Sequence, residues 1–314
     1  MTTHVYRVGL RTRFRGLTVR DGVLLRGDAG WAEFSPFWDY DDAESLAWWR
    51  AAREAADVGW PAALRRTIPV NVTIPALDGP AARRIVEASG GCRTAKVKVA
   101  EPGQTESDEI ERLEAVRDAL GPAGRIRIDA NGGWDTATAI ARLRVLDRAA
   151  GGLEYVEQPC ASVAELATVR RAVDVLVAAD ESIRRAQDPL AVVRAQAADI
   201  VVLKVAPLGG VRACLDLAER VGLPVVVSSA LETSVGLAAG IALAAALPEL
   251  PYACGLATAQ LLSDDVVAEP LLPIDGAIPV RRPEPDPALL AAHRADTDLT
   301  GRWIARTAAV RGLL

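Results

Sequence analysis

The chain of 314 residues is half hydrophobic and one quarter charged, with a formal net charge of -5. This length suits one large domain with a modest addition, or two ordinary domains. The acidic balance gives no reason to expect nucleic acid as a partner. Only two histidines are present, so catalysis or metal binding by histidine is poorly supplied. The polar N-terminus has no apolar signal segment, and we therefore expect a cytoplasmic protein.

The first part of the chain differs in pattern from the rest. Residues 5–37 are expected to form antiparallel strands, with tight turns at Arg20–Gly22 and Gly27–Gly30. A helix is expected to follow at Asp41–Val58. We interpret residues 1–66 as an α+β capping domain, and we expect the tail 282–314 to return to it.

From about residue 68 onward, short apolar runs rich in β-branched residues alternate with amphipathic helical stretches such as Glu106–Leu120 and Thr136–Ala149. The eight runs are Ile68–Ile74, Ala95–Val99, Arg125–Asp129, Glu154–Glu157, Val175–Asp180, Ile200–Val205, Val225–Ser229 and Tyr252–Leu256. This alternation predicts a modified (β/α)8 TIM-type barrel over 67–281. A doubly wound sheet is disfavoured because no glycine-rich nucleotide turn follows the first run. The apolar stretch Val235–Leu247 is too short to span a bilayer and predicts a buried helix, so no membrane insertion is expected.

Charged residues recur at the ends of successive predicted strands, and these ends meet at one mouth of a barrel. In chain order they are Lys96 and Lys98, Asp129, Glu157, Asp180 and Lys204. Three converging carboxylates repel one another unless a cation neutralises them, and oxygen ligands favour Mg²⁺, with Mn²⁺ as the alternative. We therefore predict Asp129, Glu157 and Asp180 as metal ligands, and Lys98 and Lys204 as acid/base groups that exchange protons with a small-molecule carboxylate.

Only three of the 36 basic residues are lysines. All three lie in strand-like runs, and a desolvated lysine can act as a base whereas arginine cannot. Taken singly, each site residue has a structural interpretation as well. Asp180 suits a helix cap, Glu157 suits a strand end, and Lys204 suits a cation whose stem is buried. The joint arrangement on five successive strands favours a functional site.

The set Lys96-x-Lys98, Asp129, Glu157, Asp180 and Lys204 resembles the enolase superfamily, in its muconate-lactonizing-enzyme subgroup. The resemblance covers nearly the whole chain, including a capping domain over the barrel mouth. Five segments are also similar to the o-succinylbenzoate synthase family of the short actinobacterial type: Phe14–Gly27, Gly30–Phe37, Pro69–Ala76, Ser228–Ala238 and Ala253–Leu262. The reaction implied is loss of water from 2-succinyl-6-hydroxy-2,4-cyclohexadiene-1-carboxylate, through an enediolate, in menaquinone biosynthesis.

The same resemblance implies roles for single residues. Lys98 removes the α-proton and then helps the hydroxyl group to leave, while Lys204 stays protonated and stabilises the enediolate. Lys96 holds the substrate carboxylate or lowers the pKa of its neighbour, and Ser228 and Ser229 are candidates for the succinyl carboxylate. The arginine-rich first loop either supplies charge over the closed site or is solvated surface; its members are Arg11, Arg13, Arg15 and Arg20.

Other reactions share these residues and stay open on the sequence. An N-acylamino-acid racemase or a muconate-type cycloisomerase uses the same site. A dipeptide epimerase is disfavoured because the eighth run, Ala253–Ala257, has no acid to hold a substrate amine. A metal-free aldolase with a Schiff base on Lys204, and a non-catalytic binding protein, are the alternatives from other classes.

Overall fold

The computed structural model of the protein describes residues 2–314. Its N-terminal part is an antiparallel sheet in the order β1–β2–β3, formed by β1 (Thr2–Phe14), β2 (Leu17–Gly27) and β3 (Gly30–Phe34). Helix α1 (Asp42–Arg53) follows and continues into a π-helical turn at Glu54–Val58. Asp41 caps α1, because its side chain accepts from the Glu44 backbone N–H while the Glu44 side chain accepts from the Asp41 N–H.

The predicted turn at Arg20–Gly22 is wrong, whereas the turn between Gly27 and Gly30 is confirmed. The first hairpin turns at Arg15 and Gly16, and Arg20 pairs with Val8 inside the β1–β2 ladder. Asp21 and Gly22, the pair that suggests a turn, lie inside β2, where Gly22 allows close packing. A Cβ atom on Gly22 would lie 2.5 Å from Ser35 Cβ, so a larger residue does not fit against Ser35, the residue after β3.

The second part is a seven-stranded parallel sheet whose strands neighbour each other in chain order. Its strands are β5 (Val72–Ile74), β6 (Thr94–Lys98), β7 (Arg125–Asp129), β8 (Leu153–Glu157), β9 (Val177–Ala179), β10 (Ile200–Leu203) and β11 (Val225–Val227). The first predicted run is divided, because β4 (Thr67–Pro69) pairs with β12 (Ala277–Pro279) in a separate antiparallel ladder. The curled sheet and its outer helices confirm the TIM-type barrel class.

The eighth predicted strand, Tyr252–Leu256, is reduced to isolated bridges. Cys254 bridges to Val70 before β5, and Gly255 bridges to Ser228 after β11. Two backbone hydrogen bonds join Cys254 to the first side, with Asn71 N donating to Cys254 O at 2.9 Å. A single bridged residue on each side does not make a strand, but the two bridges connect the first and last strands of the sheet.

Helices cover the outside of the sheet. They are α2 (Gly79–Glu87), α3 (Glu106–Leu120), α4 (Thr136–Ala149), α5 (Val163–Ala172), α6 (Glu181–Arg184), α7 (Ala191–Arg194), α8 (Val211–Val221) and α9 (Ser234–Ala246), with a 3₁₀ helix at Ala257–Leu261. The predicted bounds of α3 and α4 are confirmed, and a capping box between Thr105 and Asp108 starts α3. The buried α9 confirms the interpretation of the Val235–Leu247 stretch. Among residues 2–314, no helix is long and apolar enough to cross a membrane.

The tail forms α10 (Pro287–Ala292) and α11 (Thr297–Arg311). Trp303 of α11 is fully buried in an aromatic cluster with Phe34 and Trp49, and its Nε1 donates to Asp21 Oδ1 at 2.7 Å. The tail therefore packs on the N-terminal sheet. The division into a capping domain, 1–66 with 282–314, and a barrel domain, 67–281, stays a prediction. We call β1 to α1 together with α11 the cap.

Candidate active site

Strand ends of the barrel and residues of the cap enclose one chamber. Lys96, Lys98, Asp129 and Lys204 line it from the barrel, and Phe37 lines it from the cap. All three lysines of the chain are buried here, at 6 to 8% exposure. The strands do this because residues two apart on β6 face the same side, and because Lys98 and Asp129 are direct neighbours in the β6–β7 register.

Two lysines share the carboxylates of the third and fourth barrel strands. Lys96 Nζ lies 3.0 Å from Asp129 Oδ2 and 2.9 Å from Glu157 Oε1. Lys98 Nζ lies 2.6 Å from the same Asp129 oxygen and donates to Asn131 Oδ1 at 2.5 Å. One carboxylate oxygen of Asp129 thus accepts hydrogen bonds from both lysine side chains.

Lys204 forms the opposite side of this network. Its Nζ lies 2.6 Å from Asp180 Oδ2, while Arg184 Nε donates to Asp180 Oδ1 at 3.0 Å. Asp180 stands at the start of α6, but its side chain makes no capping hydrogen bond. The interpretation of Asp180 as a helix cap is therefore wrong, and its carboxylate belongs to the chamber network.

Burial and charge shift these groups in opposite directions. Burial and then the neighbouring Asp129 raise the pKa of Glu157 to about 7. Burial alone would raise the pKa of Asp129, but Lys96 and Lys98 hold it well below its usual value. Burial lowers the pKa of Lys204 despite the nearby Asp180. Strong shifts produced by desolvation and by specific charge partners are typical of functional sites.

The three predicted ligands suit a divalent cation by their chemistry. Asp129, Glu157 and Asp180 are almost completely buried oxygen donors at the ends of consecutive strands. Burial, and after it the repulsion from Asp129, raise the pKa of Glu157, and a cation would relieve this repulsion. In residues 2–314 no three His, Cys, Asp or Glu side chains stand in a metal-binding arrangement. The carboxylate oxygens bond to ammonium and guanidinium groups in this conformation.

Ser228 and Ser229 both line the chamber after β11, as predicted. Ser229 Oγ lies 2.5 Å from Thr258 Oγ1, and Ser228 Oγ donates to Gly255 O at 3.4 Å. The Ser228 hydroxyl thus bonds to the segment that closes the barrel, and the Ser229 hydroxyl bonds to the 3₁₀ helix that follows it. Their roles as substrate contacts stay predictions.

The predicted first loop of arginines divides into separate environments. Arg11 and Arg13 are exposed on β1, whereas Arg15 lies in the hairpin turn and lines the chamber. Arg20 is buried, so the expectation of a charged loop at this residue is wrong. Phe14 completes this side, and Lys98 Nζ lies 5.5 Å from the centre of its ring.

Sequence reasoning missed three residues that the structure joins to the site. Asn131 accepts from Lys98, and its place two residues after the predicted ligand Asp129 was the signal that the sequence offered. The structure adds that Asn131 has a left-handed backbone conformation, with φ 47°. Arg184 lies four residues after Asp180, a spacing that brings side chains together on a helix. Tyr40 of the cap accepts from Arg184, and no local pattern could predict this contact across 144 residues.

Two family models match the chain, one for each part of the fold. Residues 80–285 match the model described as "Enolase C-terminal domain-like", and residues 5–56 match "Enolase N-terminal domain-like". The chain belongs to the enolase superfamily. Enzymes of the enolase superfamily depend on a divalent metal, which agrees with the carboxylate set at the barrel mouth.

Relatives within the enolase superfamily cover almost the whole chain. An o-succinylbenzoate synthase of Thermobifida fusca is 63% identical over 99% of this chain and 96% of its own length. The o-succinylbenzoate synthase of Mycolicibacterium smegmatis is 52% identical over 99% of this chain and 95% of its own.

Solved structures of the superfamily share the fold. The muconate lactonizing enzyme of Pseudomonas fluorescens superimposes with a TM-score of 0.79 at 21% identity, covering 93% of this chain and 98% of that chain. The L-Ala-D/L-Glu epimerase of Bacillus subtilis gives 0.77 at 23% identity, covering 90% and 96%. Identities this low establish the shared fold alone.

Proposed function

We propose that the chain is an o-succinylbenzoate synthase, a lyase that removes water from 2-succinyl-6-hydroxy-2,4-cyclohexadiene-1-carboxylate to give o-succinylbenzoate for menaquinone biosynthesis. The observation that carries this function is the identity of 63% with a synthase along 99% of the chain. The chamber is consistent with it, because the three lysines of the chain and three buried acids meet there.

The proposed chemistry uses Lys98 and Lys204 as the acid/base pair. Neutral Lys98 takes the α-proton at Nζ, and the electron pair left on carbon forms the enediolate of the substrate carboxylate. The resulting Lys98 ammonium then gives its proton to the departing hydroxyl group, which leaves as water, and the ring becomes aromatic. Lys204 stays protonated and stabilises the negative charge of the enediolate.

Asp129, Glu157 and Asp180 are proposed to hold the divalent metal, with Mg²⁺ as the ion and Mn²⁺ as the alternative. The bound ion supplies positive charge that makes the α-proton more acidic. Lys96 is proposed to hold the substrate carboxylate. Ser228 and Ser229 are proposed to contact the succinyl carboxylate. We propose a small-molecule carboxylate as the partner and the cytoplasm as the location of the protein. No nucleic-acid partner is proposed.

The test follows ultraviolet absorbance while purified protein meets the cyclohexadiene substrate, with Mg²⁺ and with EDTA. We expect rapid aromatisation that depends on the metal. A second set of assays offers N-acylamino acids, dipeptides and muconate to the same metal-loaded protein. No aromatisation, together with turnover of one of these compounds, would keep the site and overturn the choice of reaction.

A further inference from the structure

We infer that Arg20 of the cap is a positioning residue for the chamber wall formed by residues 228–231. Arg20 lies on β2, is 3% exposed and directs its guanidinium across the interface between cap and barrel. Its Nε donates to Leu231 O at 2.9 Å. No ion-pair partner of Arg20 occurs among the described residues, so its fork is directed at backbone carbonyl groups.

The other guanidinium nitrogens tie this bond to the cap sheet. Nη1 donates to Asp21 O at 3.1 Å, and Nη2 donates to Ser35 O and, at 3.0 Å, to Ser35 Oγ. Nη1 and Nη2 are therefore held by Asp21 and Ser35 of the cap, and Nε is left to bond to Leu231 O. A side chain held at so many points loses little further freedom when it binds the loop.

A second series of hydrogen bonds begins at Ser35 and ends in the barrel, just after Leu231. Ser35 Oγ donates to Glu33 Oε1 at 2.6 Å. The other Glu33 oxygen accepts from Thr233 N at 3.1 Å and from Gly236 N at 3.2 Å, at the start of α9. The cap thus binds the loop 228–231 at the carbonyl of Leu231 and binds the N-terminus of α9, which follows this loop.

The loop 228–231 contains a residue in a strained backbone conformation. Leu231 has φ 64°, in the left-handed region that is costly for a leucine. Its N–H donates to Ser229 Oγ at 3.2 Å, and Ala230 N donates to Glu232 Oε2 at 2.8 Å. Because Ser229 lines the chamber, the position of Leu231 fixes a predicted substrate contact.

Arg20 supports a second part of the wall as well. Its guanidinium carbon lies 4.5 Å from the ring centre of Phe37, which lines the chamber from the cap. One buried cation therefore holds both the cap side and the barrel side of the substrate space. This inference rests on the proposed function only for the identity of the substrate.

The test compares Arg20→Met and Arg20→Lys with Arg282→Met. Arg282 is a matched control because it also donates to backbone carbonyls, those of Ala29 and Trp31 in the cap and of Ala55 in the π-helical turn after α1, but lies outside the chamber. In Arg20→Met we expect KM to rise roughly tenfold with a smaller change in kcat, since a buried carbonyl loses its donor and the wall loosens. Arg20→Lys should recover part of the loss, and Arg282→Met should keep the KM of the original protein.

Hydrogen exchange gives a readout independent of substrate. Amides of residues 229–236 should exchange roughly tenfold faster in Arg20→Met and keep their rates in Arg282→Met. If Arg20→Met does not fold, the same two measurements are made on Arg20→Lys. Unchanged KM and unchanged exchange in a folded Arg20 variant would overturn the inference. Absence of turnover in the original protein would instead count against the proposed function, and exchange would still decide the role of Arg20.

Discussion

The barrel mouth and the cap both bury cationic side chains, but they use different residues for different partners. At the mouth, Lys96, Lys98 and Lys204 pair with carboxylates. In the cap, Arg20 and Arg306 donate chiefly to backbone carbonyls and stack on aromatic rings. Lysine can lose its proton when it is desolvated, whereas arginine cannot, and the planar fork of arginine suits several acceptors at once. The difference separates proton transfer at the mouth from shaping of the chamber by the cap.

Among the variants other than Lys98→Ala, the largest effect is expected at the mouth, from Lys204→Ala. We expect turnover to fall roughly 10²- to 10³-fold, because the enediolate loses a preorganised positive charge. Folding should survive, since Arg184 still pairs with Asp180. Steady-state kinetics and a thermal melt of the same sample measure both properties. Unchanged turnover would contradict the division between mouth and cap.

Metal binding tests whether the carboxylates of the mouth hold a cation. With Mg²⁺ at about a hundred times its Kd, the free energy of unfolding of the metal-free protein should rise by about 2.7 kcal/mol. Glu157→Gln should reduce this gain strongly. Glu154→Gln is the matched control, because Glu154 lies on the same strand and pairs with Arg127. An equal gain in both variants would exclude Glu157 as a ligand.

Removal of a cap arginine should affect stability more than chemistry. Arg306 Nη2 donates to Phe37 O at 2.9 Å and to Tyr40 O at 2.6 Å. Arg306→Met should lower the free energy of unfolding by about 3 kcal/mol, because buried carbonyls lose their donor. Urea denaturation measures the loss. A fall in kcat as large as that of Lys204→Ala, in a folded sample, would break the comparison.

The smallest expected effect depends on pH and lies where cap and barrel meet. Burial first, and then Glu33, raise the pKa of Glu232 from 4.5 to about 7, and Arg20 is the nearby cation that opposes this. The folded protein therefore holds a proton that the unfolded chain releases, so Glu232 costs stability progressively from about pH 4.5 to 7. Glu232→Gln should be more stable than the original by on the order of 1 kcal/mol above pH 7, with no difference near pH 4. Denaturation at several pH values checks this, and a constant difference would contradict it.

Much of the barrel could be predicted because its signals are local. The helices Glu106–Leu120 and Thr136–Ala149 follow from apolar periodicity, and the strand Arg125–Asp129 was predicted with its observed bounds. The convergence of the lysines and acids follows from barrel topology, since strand ends meet at one mouth.

The missed features depend on tertiary contacts. The Asp-Gly pair at Asp21 and Gly22 suggests a turn, but a close approach of Ser35 decides its conformation. The segment Tyr252–Leu256 has strand composition but shares too few hydrogen bonds with its neighbours. The bond between Arg184 and Tyr40 links distant parts of the chain and leaves no local trace.

The most direct measurement compares the original protein with Lys98→Ala, both loaded with Mg²⁺, in the aromatisation assay. Lys98 is the group to which the α-proton is assigned, and Lys96 still pairs with Asp129 after its removal. We predict that turnover falls at least roughly 10³-fold while the thermal melt and its shift with Mg²⁺ are retained. Turnover by Lys98→Ala close to that of the original protein would contradict the account.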